Sequence, residues 1–296
     1  MRANMDGVIV IDKPEGWTSH DVVNKVRKIA HTKKVGHLGT LDPIATGVLP
    51  LVIERATRLA QFYTRSDKIY EGLVRFGWAT TTYDRAGEVV GEKHDVTVDA
   101  AELERHLEAF RGEFLQTPPA VSAKKIGGKR AYELARKDVA VELEPAKVQV
   151  YELTVLDIAS SAVRLRAHCS GGTYIRSIAH DLGRALGCGA HLAELRRVAS
   201  GEFEIEQARS LEQLASLAAE ERLVDAIVPA SKLLPAFPAV FVDDVTASQI
   251  RNGRNFPGSP FHAQAAKHVK AVTRSGALIA VGEAVLPNVY HPVVVL

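Results

Sequence analysis

Residues 162–170 alternate between apolar and polar side chains, and this run constrains the fold more than any other feature of the chain. The two faces are formed by Val163, Leu165, Ala167 and Cys169 on one side and by Arg164, Arg166, His168 and Ser170 on the other. A period of two predicts a strand with one buried face. Gly171, Gly172 and Thr173 then form a turn, and apolar residues at helical spacing predict a helix over 174–186. A sheet that buries one face beneath helices indicates a mixed α/β fold.

The remaining segments extend this pattern. Strands are predicted over 8–11 and 68–76, and helices over 99–110 and 210–223, where Asp99 with Glu102 and Ser210 with Gln213 form capping boxes. Ser19 is the predicted N-cap of an earlier helix, and 191–198 is interpreted as a short helix. Residues 31–50 contain several glycines and prolines and are interpreted as one long loop. Short β-rich runs after residue 235 predict a small separate β domain.

Composition limits the class of protein. The chain has 296 residues, 46% of them hydrophobic and 24% charged, which is typical of globular proteins and excludes disordered or fibrous chains. Cys169 and Cys188 are too few for a disulfide framework, and with His168 and His191 they match no metal-binding template, so we expect no metal. No apolar run approaches the roughly 18 residues of a membrane span. We expect neither secretion nor membrane insertion, and a cytoplasmic location.

Basic residues cluster in two places, although the net charge is only +2. The first cluster has no acid between Val22 and Leu41, and the second has one, Glu133. Their members are Lys25, Arg27, Lys28, Lys33 and Lys34, and Lys124, Lys125, Lys129, Arg130, Arg136 and Lys137. Such clusters suit a polyanion, but each is also compatible with an ordinary solvated helix face.

Asp42 is the single acid between Asp21 and Glu54, within a loop rich in glycine and proline. Two interpretations are open. The carboxylate caps a turn before Pro43, a common role of Asp-Pro, or it is a nucleophile or base kept ionised by a nearby guanidinium. The sequence has no phosphate-binding P-loop, dinucleotide fingerprint, zinc-protease helix or serine-hydrolase elbow. We therefore expect carboxylate, tyrosine and arginine chemistry.

Five motifs in order along residues 8–200 resemble the TruB type of bacterial tRNA pseudouridine synthases. They are Asp12-Lys13-Pro14-x-Gly16-x-Thr18-Ser19, Gly36-His37-x-Gly39-x-Leu41-Asp42-Pro43-x-Ala45-x-Gly47, Asp67-Lys68-x-Tyr70, Gln116-x-Pro118-Pro119-x-x-Ser122-Ala123-Lys124 and Cys169-Ser170-x-Gly172-Thr173-Tyr174-Ile175-Arg176. The loop around Asp42 and the segment ending in Arg176 are highly specific in combination. The resemblance implies an α+β pseudouridine synthase fold with a large, mainly antiparallel sheet flanked by helices. It divides the chain into a catalytic domain, 1–235, and a small PUA-like RNA-binding domain, 236–296.

The implied reaction is isomerisation of uridine 55 in the T arm of tRNA to pseudouridine, without cofactor or metal. The enzyme is expected to turn the target base out of the RNA and to work as a monomer without an obligatory protein partner. By resemblance, Asp42 is the essential carboxylate, which attacks the sugar or the base or assists elimination to a glycal. Arg176 pairs with Asp42 and favours its charged form. Tyr70 stacks on the uracil and is a candidate proton acceptor, an uphill role for a phenol.

Five further residues are assigned to substrate binding by the same resemblance. Tyr174 and Leu195 line the pocket, and His37 enters the space that the turned-out nucleotide leaves. Lys13 has either a contact with substrate or a structural role in its turn, and Lys124 belongs to the second basic cluster.

Two alternatives are open. One is an enzyme of the same superfamily that acts on ribosomal RNA with a guide RNA and partner proteins. The other is a non-catalytic RNA-binding or tRNA-folding protein, which would tolerate loss of Asp42.

Overall fold

The computed structural model describes residues 5–120, 125–126, 129–130, 144–258 and 266–296. The strands of the first half are β1 (Gly7–Lys13), β2 (Val35–His37), β3 (Ala45–Ile53), β4 (Lys68–Phe76), β5 (Ala79–Thr80), β6 (Val89–Val90), β7 (Gly112–Gln116), β8 (Lys125–Ile126) and β9 (Lys129–Arg130). Those of the second half are β10 (Ala146–Ala159), β11 (Ala162–Cys169), β12 (Ala190–Ser200), β13 (Phe203–Glu204), β14 (Val228–Pro229), β15 (Ala239–Val242), β16 (Phe256–Pro257), β17 (His268–Thr273), β18 (Leu278–Leu286) and β19 (Val289–Val295).

The described α-helices are α1 (Ser19–Ile29), α2 (Ala100–Leu107), α3 (Ile175–Ala185), α4 (Leu211–Ala219) and α5 (Asp244–Arg251). Short 3₁₀ helices cover Glu54–Tyr63, Glu108–Phe110, Ile205–Gln207, Leu223–Ala226 and Ala230–Lys232. None of the helices in the described ranges has the length and apolar character needed to cross a bilayer.

Ten strands form the main sheet, in the order β14-β1-β3-β12-β4-β11-β10-β7, with β2 paired to β3 and β13 to β12. Among the described strands, β3 and β12 make the one parallel ladder of this sheet. The predicted large and mainly antiparallel sheet is confirmed. β11 buries the predicted face, Val163, Leu165, Ala167 and Cys169.

Helices α1 to α4 cover one face of the main sheet. Ile9 and Ile11 of β1 pack with Val26 of α1 and Leu182 of α3 in this core. The alternate residues Val8 and Val10 belong to a second core on the opposite face. β1 is therefore buried on both sides, which explains its unbroken apolar run.

The second core joins the main sheet to a five-stranded C-terminal sheet, ordered β15-β17-β18-β19-β16. Leu278 and Val281 of β18 share that core with Val48 of β3 and Leu59 of the Glu54–Tyr63 helix. The predicted β-rich C-terminal unit is confirmed. It also contains α5, which the short β-like runs did not reveal.

Three local predictions are wrong. The N-cap of α1 is Thr18, which forms a capping box with Asp21, whereas the Ser19 hydroxyl bonds to Leu41 in the opposite loop. Residues 31–50 are not one loop, because β2 and most of β3 lie within them. The glycines and prolines there serve turns and close strand packing as well as the shorter loop, residues 38–44.

The third error concerns 191–198, which forms part of the central strand β12 and not a helix. Its ladder with β4 shifts register between Leu192 and Glu194 and again between Arg197 and Ala199. Each β-bulge inserts a residue and moves the following side chains to the other face. The resulting pattern loses its period of two, so apolar residues three apart resemble a helix.

Candidate active site

A cavity of about 480 Å³ opens where five segments of the chain meet. These segments are residues 37–42, the end of the Glu54–Tyr63 helix, strand β4, strand β12 and the N-terminal end of α3. The predicted site residues that line the cavity are His37, Asp42, Tyr70, Tyr174, Arg176 and Leu195. Residues more than 100 positions apart in the sequence thus share one concave surface.

The Asp42 carboxylate and the Arg176 guanidinium form a two-point contact at the cavity wall. Arg176 Nε lies 2.9 Å from Asp42 Oδ2, and Arg176 Nη2 donates to Asp42 Oδ1 at 3.2 Å. Two contacts from a planar guanidinium fix the direction of the carboxylate as well as attracting it. The side chain of Asp42 remains 34% exposed and faces the cavity. This pairing agrees with the arrangement predicted for the two residues.

A second carboxylate, that of the buried Asp84, also binds the Arg176 guanidinium. Nη1 of the guanidinium donates to Asp84 Oδ2 at 3.2 Å and to the carbonyl of Thr82 at 3.0 Å. Asp84 is itself fixed, because it accepts from the Thr82 hydroxyl at 2.6 Å and from the Ala86 amide at 3.0 Å. Asp84 was not found from the sequence, since nothing in its local pattern distinguishes it from a turn residue.

Polar contacts to α1 and to the turn before it hold the loop that carries Asp42. Ser19 Oγ accepts from the Leu41 amide at 2.8 Å and donates to the Leu41 carbonyl at 3.1 Å. The Gly16 amide donates to the carbonyl of Pro43 at 2.8 Å. Asp42 therefore lies on a segment anchored on both sides, as a positioned reactive group requires.

Burial raises the pKa of the Asp42 carboxyl, and the nearby Asp84 carboxylate raises it further. The Arg176 guanidinium and the Lys13 ammonium act in the opposite direction. Arg176 thus favours the charged form of Asp42, as predicted, but the loss of water around the carboxyl outweighs this effect.

Tyr70 lies on the buried face of β4 and lines the cavity. Burial raises the pKa of its hydroxyl, and the Arg197 guanidinium beside it partly opposes this rise. A neutral phenol is therefore the resting form at neutral pH. The predicted role as proton acceptor is energetically uphill, whereas stacking requires no ionisation.

Arg197 was missed by sequence reasoning, and Lys68 stands in one of the motifs but was given no role, although both line the cavity. Arg197 is 1% exposed and donates through Nε to Val48 at 2.7 Å and through Nη2 to Gly39 at 3.1 Å, in both cases to a backbone carbonyl. Lys68 is 7% exposed, and its ammonium donates to the carbonyl of Ser66. Burial, followed by repulsion from Arg197, lowers the pKa of Lys68 to about 8.

Gln116 positions the entry to α3. Its side-chain oxygen accepts from the Tyr174 amide at 2.8 Å, and its side-chain nitrogen donates to the Tyr174 carbonyl at 3.0 Å. This double contact holds Tyr174 beside Arg176 at the cavity wall. Gln116 opens one of the motifs noted in the sequence, so its motif was found but its structural role was not.

The structure separates Lys13 from the cavity surface. Its side chain is fully buried and donates to the backbone carbonyls of Pro14 and Trp17 at 2.8 and 2.6 Å. Of the two roles considered for Lys13, these contacts favour shaping the turn. Burial lowers the pKa of Lys13 to about 8.

The basic clusters are only partly visible. Lys25, Lys28, Lys33 and Lys34 are exposed, as predicted. Lys124 lies outside the described residues, as do Arg136 and Lys137. Lys125, Lys129 and Arg130 lie on the two-stranded hairpin β8–β9.

In the described part of the chain, no three His, Cys, Asp or Glu side chains cluster in a way that would hold a metal ion.

Comparison with known proteins yields two family models. The TruB family pseudouridylate synthase N-terminal domain matches residues 27–175, and the tRNA pseudouridylate synthase B C-terminal domain matches residues 176–235.

Individual relatives agree with these models. The chain is 78% identical over 293 residues to tRNA pseudouridine synthase B of Solibacter usitatus (strain Ellin6076), covering 99% of this chain and 100% of the relative. It is 44% identical over 252 residues to tRNA pseudouridine synthase B of Aquifex aeolicus (strain VF5), covering 84% and 86%.

Solved structures show the same architecture. A Cbf5-Nop10-Gar1 complex contains a chain that matches with a TM-score of 0.73 and 32% identity, over 96% of this chain and 80% of that one. An H/ACA RNP bound to a substrate RNA containing 2′-deoxyuridine matches with a TM-score of 0.73 and 28% identity, over 99% and 84%.

Proposed function

The chain belongs to the TruB family of pseudouridylate synthases, and from this premise we propose that it converts uridine 55 in the T arm of tRNA to pseudouridine. The coarser activity, tRNA pseudouridine synthesis by an isomerase, follows from its near full-length similarity to tRNA pseudouridine synthase B. The observation that carries the proposal is the Asp42–Arg176 pair at the wall of a cavity large enough for a nucleotide.

Asp42 acts as the carboxylate that breaks the bond between uracil and ribose, by attack on the sugar, by attack on the base or by assisted elimination. The two-point contact with Arg176 points one face of the carboxylate toward the cavity and favours the ionised form that attack requires. Tyr70 and Leu195 offer apolar surfaces between which a flipped uracil ring fits. His37, at the mouth of the 38–42 loop, fills the space that the base leaves in the RNA.

The exposed lysines of α1 and of the turn after it support a contact with RNA phosphates near this cavity.

We assign residues 1–235 to catalysis and 236–296 to a small PUA-like RNA-binding domain, in a monomer without an obligatory protein partner. The family models end at residue 235, where the C-terminal sheet follows. The cytoplasm is the proposed location.

The test uses purified protein and an unmodified tRNA transcript, with wild type beside Asp42→Asn. We expect pseudouridine at position 55 with wild type alone and a rate reduced by more than about a thousandfold in the variant. Binding of tRNA should be retained by the variant, because the amide keeps the shape of the carboxyl group. Pseudouridine is measured by nuclease digestion and mass spectrometry.

The same experiment decides between this function and its alternatives. Modification by the lone chain contradicts dependence on a guide RNA and partner proteins. Equal binding without modification in both proteins would overturn the proposal and favour a non-catalytic RNA-binding role.

A further inference from the structure

Positive charge is in excess at one end of the cavity. At the opposite end Arg176 and Lys13 act on two carboxylates, Asp42 and Asp84, so the charges there balance. Lys68 and Arg197 differ, since in the described part of the chain their hydrogen bonds run to backbone carbonyls and, from Arg197, also to the Tyr70 hydroxyl, but not to carboxylates. Two buried cations thus line the cavity, and the carboxylate that acts on Lys68, Asp67, is 46% exposed to solvent.

The Lys68 and Arg197 side chains approach each other beside Gly39, and the charge of Arg197 acts on Lys68. A β-carbon added at Gly39 would lie 3.5 Å from Arg197 Nη1 and 3.7 Å from Lys68 Cε. Arg197 is also beside the Tyr70 hydroxyl. The surface therefore combines two cations with the tyrosine whose ring the proposed function places against the uracil.

Such an arrangement is costly unless an anion arrives during the reaction. Two like charges that have lost their water raise the free energy of the empty site, and the lowered pKa of Lys68 reflects this cost. Donors fixed in a dry cavity stabilise charge that develops in a transition state far better than water does. This end of the cavity is therefore suited to an anion that forms during the reaction.

The reaction itself supplies one. When the C1′–N1 bond breaks, its electron pair passes to N1 and is shared with O2 and O4 of the uracil ring. Three routes compensate C1′ for the lost electron pair: Asp42 bonds to C1′, the C2′ proton passes to Asp42 and a C1′–C2′ double bond forms, or C1′ leaves as an oxocarbenium ion from a ring that carries Asp42 at C6. In each route the uracil is an anion until C5 bonds to C1′. Asp42 is then released from C1′ or C6, or returns the proton to C2′, and C5 loses its proton while N1 gains one.

We propose that Lys68 and Arg197 stabilise the uracil anion, with Lys68 donating directly to it and Arg197 contributing its charge from the wall. This inference rests on the proposed function. Lys68 has protons to offer, because the ammonium carries three and one is donated to Ser66. Arg197 is held by the loop carbonyls and acts as a fixed cation.

The experiment measures single-turnover rate at saturating tRNA and, separately, tRNA affinity. Lys68→Gln should lower the saturated rate about tenfold or more and change the dissociation constant less than about twofold. Lys68→Arg should restore most of the rate, since it keeps the charge. The matched control is Lys147→Gln, which should change neither quantity. Lys147 is an exposed lysine of β10 that pairs with Glu113 of β7.

A second substrate separates charge stabilisation from simple distortion. With 5-fluorouridine at the target position, fluorine withdraws electrons and makes the uracil a better leaving group. The rate at which the enzyme consumes 5-fluorouridine by breaking its glycosidic bond should then depend less on Lys68. The rate defect of Lys68→Gln should shrink to under about threefold. Lys68→Met, which keeps the buried stem, provides the same comparison if the glutamine variant does not fold.

Two outcomes would overturn the inference. A raised dissociation constant with an unchanged saturated rate would assign Lys68 to a phosphate of the RNA backbone. An equal rate defect on uridine and 5-fluorouridine would assign it to structure. Absence of pseudouridine with wild type and normal tRNA would instead contradict the proposed function, before Lys68 is considered.

Discussion

Arg176 is the residue on which the geometry of the cavity depends. Its guanidinium has one partner that faces the cavity, Asp42, and one that is buried, Asp84. The buried partner offsets the cost of removing the guanidinium from water, so the charge of Arg176 is stable whether or not Asp42 is ionised. Asp42 can therefore change its bonding during the reaction while the group that orients it stays fixed.

Lys68 provides a prediction at the same scale. Its pKa is lowered from about 10.5 to about 8 in the folded protein, so the unfolded chain binds more protons between these values. The contribution of Lys68 to the free energy of unfolding therefore rises with pH between these two values. Relative to Lys68→Met, wild type should gain about 1.4 kcal/mol for each pH unit between about pH 8 and pH 10.5.

Urea unfolding at a series of pH values measures this difference. Lys68→Arg serves as control, because a guanidinium keeps its proton throughout and its difference from Lys68→Met should stay constant. A difference between wild type and Lys68→Met that is flat with pH would show that Lys68 does not lose its proton near pH 8 in the folded protein.

At the residue scale, the sequence predicted the members of the site that stand in a short motif. Asp42 was singled out by its isolation among bases, and the resemblance supplied Tyr70 and Arg176. Arg197 was not found, and Lys68 was noted in its motif without a role, because arginines and lysines in strands are ordinary residues until their surroundings are known. The contact of Arg197 with Gly39 joins residues 158 positions apart, and no local pattern encodes it.

In the parallel ladder of β3 with β12, the two backbones approach each other so closely that one position has no room for a β-carbon. Gly47 of β3 is opposite Arg197 of β12 and has a φ of +98°. A β-carbon at Gly47 would lie 2.2 Å from the Arg197 carbonyl oxygen and 3.0 Å from its amide nitrogen. Glycine is required here by backbone approach as well as by conformation.

Gly47→Ala should consequently destabilise the protein by more than about 3 kcal/mol or prevent folding. Gly187→Ala is the matched control, since Gly187 ends α3 with a φ of +70° and no atom would lie within 4 Å of its added β-carbon. The control should lose only about 1 kcal/mol, the cost of a left-handed alanine. Denaturant unfolding compares them, and equal losses would contradict the steric argument.

Regular elements were predicted well where the hydrophobic period is uninterrupted. β11 and α3 follow their patterns of two and 3.6 residues, and both were found with nearly correct ends. β12 was missed because two bulges break its alternation, and β3 because burial on both faces removes alternation altogether. Of these two strands, β12 supplies Leu195 and Arg197 to the cavity wall, and β3 follows the loop that carries Asp42.

For the molecule as a whole, the C-terminal sheet extends the core of the catalytic part. Arg58 donates to the Val295 carbonyl at 2.6 Å, and Lys270 donates to the Leu233 carbonyl at 2.7 Å. Phe62 and Phe237 pack against His268 with ring centroids 5.6 and 5.1 Å away. Polar and apolar contacts together indicate that the two parts unfold as one unit.

Leu278→Ala tests this coupling, because Leu278 of β18 is buried in the core shared with β1 and β3. Loss of this side chain should cost about 2–5 kcal/mol. Both tryptophans, Trp17 and Trp78, lie in the catalytic part, so their fluorescence reports on that part alone. If the core is continuous, the fluorescence midpoint falls by several degrees, and calorimetry shows a single transition at the same lowered temperature. An unchanged tryptophan midpoint beside a second, earlier calorimetric transition would mean that the C-terminal sheet unfolds independently and that its contact with β3 does not stabilise the cavity.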